Sequence, residues 1–263
     1  MPAIAPSFLL SVGALVAPGN ASATASAPIL AQQALAHDRD GGALRYRESH
    51  WLYREGSTAR RLVLYQCPDG RAFARKTVRE RSAAQAPDFD FEDARDGYRE
   101  GVRSTPEGRI VYVRDRAGAP VRERRVQLPP NAVIDAGFDA SVRRRWEDLR
   151  AGREVTQPFL LPSRMDFIPV RLRPGPRVDW RGVPAQRLTM RLDRWYGFVA
   201  PTMQLTYASA DQRLLEFAGI ATIRDASGRH QDVRITFPKA PSAADAGALQ
   251  RALLAPLVRD CSG

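Results

Sequence analysis

Val233-Arg234-Ile235-Thr236-Phe237 alternates apolar and polar residues without a break, and Leu188-Thr189-Met190-Arg191-Leu192 does the same. Successive side chains of a strand point to opposite faces, so a period of two gives one buried face and one wet face. Parallel strands covered by helices on both sides need near-continuous apolar runs instead. The pattern therefore selects antiparallel sheet. The chain around these two segments repeats it in short stretches rich in aromatic and β-branched residues, separated by Gly, Pro and Asp. They lie at 46–53, 61–67, 73–79, 89–93, 109–116, 121–128, 159–172, 187–195, 203–207, 214–224 and 232–237. The clearest junction is Cys67-Pro68-Asp69-Gly70, where Pro presets φ and Gly relaxes the exit of a hairpin turn.

Two helices interrupt this pattern. Phe138, Val142, Trp146 and Leu149 fall on one face at helical spacing, with Asp135 placed as a cap and Gly152 as a left-handed stop. A second helix starts near Ser242, with Asp245 completing a capping-box signal, and runs through Leu249, Leu253 and Leu257 against a break at Pro256. The expected architecture is mainly β (α+β): a strongly curved antiparallel sheet of about eleven strands, an open half-barrel, with one mid-chain and one C-terminal helix. The aromatic stripe of the mid-chain helix is expected to lie in the concavity. No internal repeat and no Pro- or Ser-rich linker divides the chain, so residues 40–263 read as one domain.

The first 36 residues carry no charged side chain, and residues 8–17 (FLLSVGALVA) are apolar and followed by small-x-small sites at 21–27. This is the pattern of an export signal over residues 1–27, lacking only the basic n-region, and it places the protein in the periplasm. Export makes the two cysteines meaningful. Cys67 and Cys261 form an even pair, either bonded in an oxidising compartment or separate, with Cys67 buried and Cys261 in a loose tail; the bonded state is the expectation.

The net charge of +11 comes from 40 Lys+Arg against 29 Asp+Glu, and all the basic residues but Lys76 and Lys239 are Arg. Acids and bases interleave, as in Arg143-Arg144-Arg145-Trp146-Glu147-Asp148, rather than forming the stripe that tracks phosphates. No nucleic-acid partner is expected. No run of 18 apolar residues is present, so no spanning helix is expected. Esterase, zinc-protease, phosphate-loop and dinucleotide motifs are missing from the sequence, and His37, His50 and His230 stand apart. No catalytic residue, metal ligand or cofactor is assigned. Asp88, Asp90 and Glu92 alternate with Phe89 and Phe91 and share one strand face, which reads as a wet face or as oxygen ligands for a hard cation.

The phrases Leu44-Arg45-Tyr46-Arg47-Glu48, Leu64-Tyr65-Gln66-Cys67-Pro68-Asp69-Gly70, Gly97-Tyr98-Arg99-Glu100-Gly101, Pro162-Ser163-Arg164 and Phe217-x-Gly219-Ile220-x-x-Ile223-Arg224-Asp225 resemble a family of uncharacterised exported proteins of Gram-negative bacteria. That resemblance implies no activity. In architecture alone the chain is similar to the open half-barrel of the periplasmic lipoprotein carrier and the outer-membrane lipoprotein receptor. Two functions follow as expectations. One is a non-catalytic binding or carrier module, with an apolar chain or an envelope protein held between the sheet and Phe138, Val142 and Trp146. Trp195, Tyr196 and Phe198, in Trp195-Tyr196-Gly197-Phe198-Val199, would form an aromatic lip to that groove or else a buried strand end. The other is a hydrolase acting on an envelope component through scattered carboxylates.

Overall fold

A computed structural model describes residues 27–80, 83–192 and 202–262. The first half of the chain is a meander: β1 (Leu30–Asp38), β2 (Leu44–Glu55), β3 (Thr58–Gln66), β4 (Ala72–Glu80), β5 (Asp88–Asp93), β6 (Tyr98–Thr105), β7 (Gly108–Arg114) and β8 (Arg122–Val126). A crossing segment then carries the short helices α1 (Phe138–Arg144) and α2 (Trp146–Arg150). A second meander follows: β9 (Val155–Leu161), β10 (Asp166–Trp180), β11 (Val183–Leu192), β12 (Thr202–Ala208), β13 (Leu214–Arg224) and β14 (His230–Thr236). β14 pairs antiparallel with β1, at Leu35 with Thr236 and Ala36 with Ile235, and this joins both meanders into one sheet. β15 (Ser242–Ala243) pairs with the start of β1, and α3 (Ala246–Leu253) comes last.

The sheet is curved and unclosed, with β8 and β9 at its two ends. Its inner face curls far enough for one apolar cluster to hold Val111 and Val126 near one end together with Leu160 and Met165 near the other. The edges are blunted differently. β8 reads Arg122-Glu123-Arg124-Arg125-Val126, four charges that discourage pairing with another chain. β9 is covered by residue 133, whose N–H donates to Pro158 O at 2.8 Å and whose carbonyl accepts from Leu160 N at 2.9 Å.

The structure has four more strands than the sequence pattern marks. β1 begins ten residues before the expected domain start, because Leu30-Ala31-Gln32-Gln33-Ala34-Leu35-Ala36 lacks β-branched residues and is held as a strand by neighbours on both sides. β6 hides its alternation because Glu100 points inward and Gly101 has no side chain. The stretch 159–172 is a hairpin, not one strand: Pro162–Arg164 makes a 3-10 turn and Met165, at φ +53°, reverses the chain. β15 is only two residues long.

Both helices also start differently from the expectation. Gly137, not Asp135, caps α1, and Arg145 separates α1 from α2. Asp245 caps α3, its carboxylate accepting from Ala248 N at 2.7 Å, whereas Ser242 belongs to β15. Gly152 at φ +81° does end α2. α3 packs Leu249 and Ala252 on Leu62 and Leu64, the outer face of β3.

The turn at 67–70 forms as read, with Gly70 N donating to Cys67 O at 2.9 Å and Gly70 at φ +97°. Cys67 is bonded to Cys261, their Cα atoms 5.4 Å apart. The C-terminal segment is thereby strapped to β4, where Val258 N donates to Ala72 O at 2.8 Å. A cross-link across 194 residues of chain removes up to about 5 kcal/mol of unfolded-state entropy. Replacing both cysteines with Ser should lower the unfolding free energy by as much as that, seen as an earlier urea midpoint. An unchanged midpoint would mean the hydrogen-bonded strap alone fixes the C-terminus.

Candidate binding face

The concave face divides into an apolar half beneath α1–α2 and a half that carries buried charge. In the apolar half, Val142, Trp146 and Leu149 pack on Val170, Leu172, Leu188, Met190, Met203 and Leu205. Trp146 is 2% exposed and meets the Tyr207 ring edge-on, centroids 6.2 Å apart. Phe138 is half-buried and meets Phe159 edge-on at 6.3 Å. Two polar stitches hold the helix at its depth. Tyr207 Oη donates to Asp139 at 2.7 Å, and Ser141 Oγ donates to Gln157 Oε1 at 2.6 Å. The Gln157 side-chain nitrogen is buried there without a partner.

In the other half, the cross-strand register sets His50, Val63, Lys76, Phe91, Glu100 and Val113 in one inward row from β2 to β7. Beside it runs a chain of rings: Tyr46 to Tyr65 at 6.1 Å, Tyr65 to Phe91 at 5.7 Å and Phe91 to Tyr98 at 6.1 Å. Lys76 Nζ sits 5.6 Å and 5.7 Å from the centroids of Phe89 and Phe91 and donates to Asp135 at 2.6 Å. That is why Asp135 does not cap the helix. Its backbone takes φ +42°, and the second carboxylate oxygen is buried with no partner. A non-glycine residue at positive φ is held there only by the surrounding structure. Here Ile134 N donates to Gln85 O at 2.9 Å on one side and Lys76 holds the carboxylate on the other, and Gly137 permits the close approach, since a Cβ on it would lie 2.2 Å from Gln85 O.

Glu100 is fully buried and accepts from Tyr98 Oη at 2.6 Å. Burial pushes its carboxyl above the usual range, against the downward pull of that hydrogen bond and of Lys76. Burial likewise holds the Tyr46 and Tyr65 hydroxyls protonated, and the Tyr46 hydroxyl has no partner. At the next position along β2, His50 Nε2 lies 2.8 Å from Glu48. This half therefore places an ammonium, an imidazole, three carboxyls and several phenols in low dielectric, a setting able to hold or move a proton.

The sequence-derived site residues fall unevenly on this plan. Phe138, Val142 and Trp146 are together under the helix pair as expected from their spacing. Trp195, Tyr196 and Phe198 lie outside the described residues. The inward polar row was not anticipated, although one signal for it existed: Lys76 is one of only two lysines among 40 basic residues. Asp90 and Glu92 meet arginines, Arg99 at 3.1 Å and Arg75 at 3.5 Å, and Asp88 meets Arg109. Among the described residues no group of metal-ligating side chains gathers, and no helix is long and apolar enough to cross a membrane.

No family model matches the chain, and no curated protein matches it. Among solved structures, a DUF1329 family protein from Desulfovibrio piger is similar over 85% of this chain and 88% of that one, at 11% identity and a TM-score of 0.27. At that level the likeness bears on neither the activity nor the resemblance to lipoprotein carriers.

Truncating Trp146 to Ala should cost about 3 to 5 kcal/mol through lost burial and an unfilled cavity; a denaturation midpoint equal to the wild type would show that the helix contributes little to the folded state. Glu100 makes a second prediction. Its folded-state pKa lies above the ordinary 4.5, so the stability linked to it is full below that value and is lost as pH rises through the folded value. Glu100→Gln, which cannot ionise, should therefore gain on the wild type as pH rises above 4.5 in urea titrations. A constant difference across that range would mean Glu100 titrates normally.

Proposed function

We propose that this chain is an exported, non-catalytic binding and carrier module of the periplasm, and that its ligand is an apolar chain of the cell envelope carried on the concave face. The observation that supports this is the form of the cover on that face. α1 and α2 are seven and five residues long, are separated at Arg145, and have no side-chain cap at either N-terminus. Helices so short have little stability of their own and persist through what they bury. The surface they bury, Leu172, Leu188, Met190 and Leu205, is one an acyl chain could occupy at a similar gain per unit area, about 25 cal/mol per Å².

Chain connectivity adds support. The aromatic segment holding Trp195, Tyr196 and Phe198 joins β11 to β12, and Leu192 and Met203 at the facing ends of those strands belong to the same apolar surface. An uncharged N-terminal stretch with small-residue sites is the support for export, and a disulfide suits an oxidising compartment.

The test is native mass spectrometry on protein released from its own host by osmotic shock. The expected result is a chain shortened at its N-terminus and carrying an adduct of lipid mass, with dansyl-undecanoic acid taken up saturably at micromolar concentration after delipidation. Protein retained in the cytoplasm with Met1 intact would overturn export. A bare mass without saturable uptake of the probe would overturn carriage.

A further inference from the structure

The outer face of the first meander shows a different surface. α3 covers it over β2 and β3, where Leu62 and Leu64 are buried, and from β4 to β7 it is left open as a groove of about 460 Å³. The floor is a cross-strand row, Thr77, Asp90, Gly101 and Tyr112 in register. Gly101 is needed here, because a Cβ would lie 2.2 Å from the Tyr112 hydroxyl. The Tyr112 side chain lies across that gap, and its hydroxyl donates to Asp90. Burial, then that hydrogen bond, keeps the phenol protonated.

The two walls are arginine pairs. Arg60 stands directly opposite Arg79 on one side of the floor, and Arg99 directly opposite Arg114 on the other. Like charges opposite one another destabilise a sheet. One member of each pair is answered within the chain, Arg60 by Glu55 and Arg99 by Asp90. The other is not. Arg79 has no hydrogen bond or ion pair among the described residues, and Arg114 bonds only a carbonyl, Gly97 O at 2.9 Å. Arg103 completes five guanidiniums along the groove and is itself paired with Glu123 at 2.8 Å; the carboxylates in the lining are Asp90 and Asp88, the latter opposite Arg79 and bonded to Arg109. The Nε atoms of Arg60 and Arg99 are buried there without partners.

Guanidinium presents paired donors that fit a phosphate or carboxylate bidentately, and its weak hydration lowers the cost of pairing. The two walls are four residues apart along a strand, about 13 Å at a rise of about 3.3 Å per residue, and Arg79 on β4 and Arg114 on β7 are also three strands apart, about 14 Å at about 4.8 Å per strand, so their backbones stand about 19 Å apart. Two long arginine side chains reaching inward from backbones that far apart fit a ligand bearing at least two phosphates better than a single small anion. We propose that this outer groove is a binding site for a phosphate-bearing ligand, held by Arg79 and Arg114 from opposite walls above the Tyr112 ring. The inference is independent of the apolar-chain reading, since it concerns the opposite face of the sheet.

Isothermal titration of the whole protein with inorganic pyrophosphate at fixed ionic strength tests it, and flotation with phosphatidylglycerol vesicles identifies the source of the phosphate. Pyrophosphate binding without vesicle binding assigns a soluble ligand; binding to both assigns a lipid headgroup. In either case the double variant Arg79→Gln with Arg114→Gln should bind pyrophosphate at least tenfold more weakly. Arg150→Gln, on α2 over the opposite face, removes one positive charge and should bind as the wild type does. Should the double variant fail to fold, Arg79→Gln alone breaks no bond within the chain and should still weaken binding several-fold. Failure of the wild type to bind pyrophosphate, or an equal loss in Arg150→Gln, would overturn the proposal in favour of general attraction to a basic protein.

Discussion

Everything else in the molecule depends on the antiparallel ladder between β1 and β14. Each meander is local, built from strands adjacent in sequence. Only this pairing, with partners about 200 residues apart, turns two independent ribbons into one surface. It works because Ala34 and Ala36 are small and fully buried, which lets large neighbours such as Tyr46 and Ile235 fill the inner face around them. Loop closure for so distant a contact costs entropy before any pairing is gained, so assembly of the sheet is expected to be slow compared with formation of either hairpin series. Leu214 and Phe217 of β13 then touch both inner clusters, so the apolar half and the charged half of the concavity share one core.

The charged half is expensive, and its cost explains its geometry. A lysine ammonium, an aspartate in a left-handed backbone conformation and a fully buried glutamate each pay desolvation. The sheet reduces that penalty by placing aromatic faces beside Lys76 and a phenol beside Glu100. Towards the end of the row, Arg95 stacks on Phe73 at 3.9 Å and Arg224 on Tyr98 at 3.8 Å, and both arginines also bond carboxylates, Asp93 and Asp96. Such an arrangement fixes which side chain faces which. A one-residue slip between strands would bring Arg75 and Arg99 inward and turn Lys76 and Glu100 out.

Much of the fold was legible because alternation, turn residues and helical spacing are local signals. The hairpin at 67–70 and the mid-chain aromatic stripe each sit within a few residues of the pattern that announces them, and the C-terminal helix forms close to its signal although Asp245, not Ser242, starts it. What escaped was non-local. β1 is a strand through its neighbours rather than its composition, and β6 conceals its inward residue as a glutamate. Asp135 looks like a helix cap until Lys76, 59 residues away, is brought within reach of it. The pairing of Cys67 with Cys261 was left open by the sequence because proximity is a property of the folded chain. The outer groove is legible only in register, since no stretch of sequence shows that Arg60 faces Arg79 or that Arg99 faces Arg114.

The cross-link between residues 67 and 261 has one more consequence, for the integrity of the chain. Most of the protein lies inside the covalent ring it closes, including five of the eight strands of the first meander, β4 to β8, and all six strands of the second. A protease that cuts one peptide bond anywhere within that ring opens it without producing two molecules. The nicked protein stays one covalent molecule, heavier only by the water added in hydrolysis, and with the ladders on either side of the cut intact it keeps its shape. An arginine-rich chain so closed is tolerant of a single tryptic-type cleavage, and the damage becomes visible only when the disulfide is reduced.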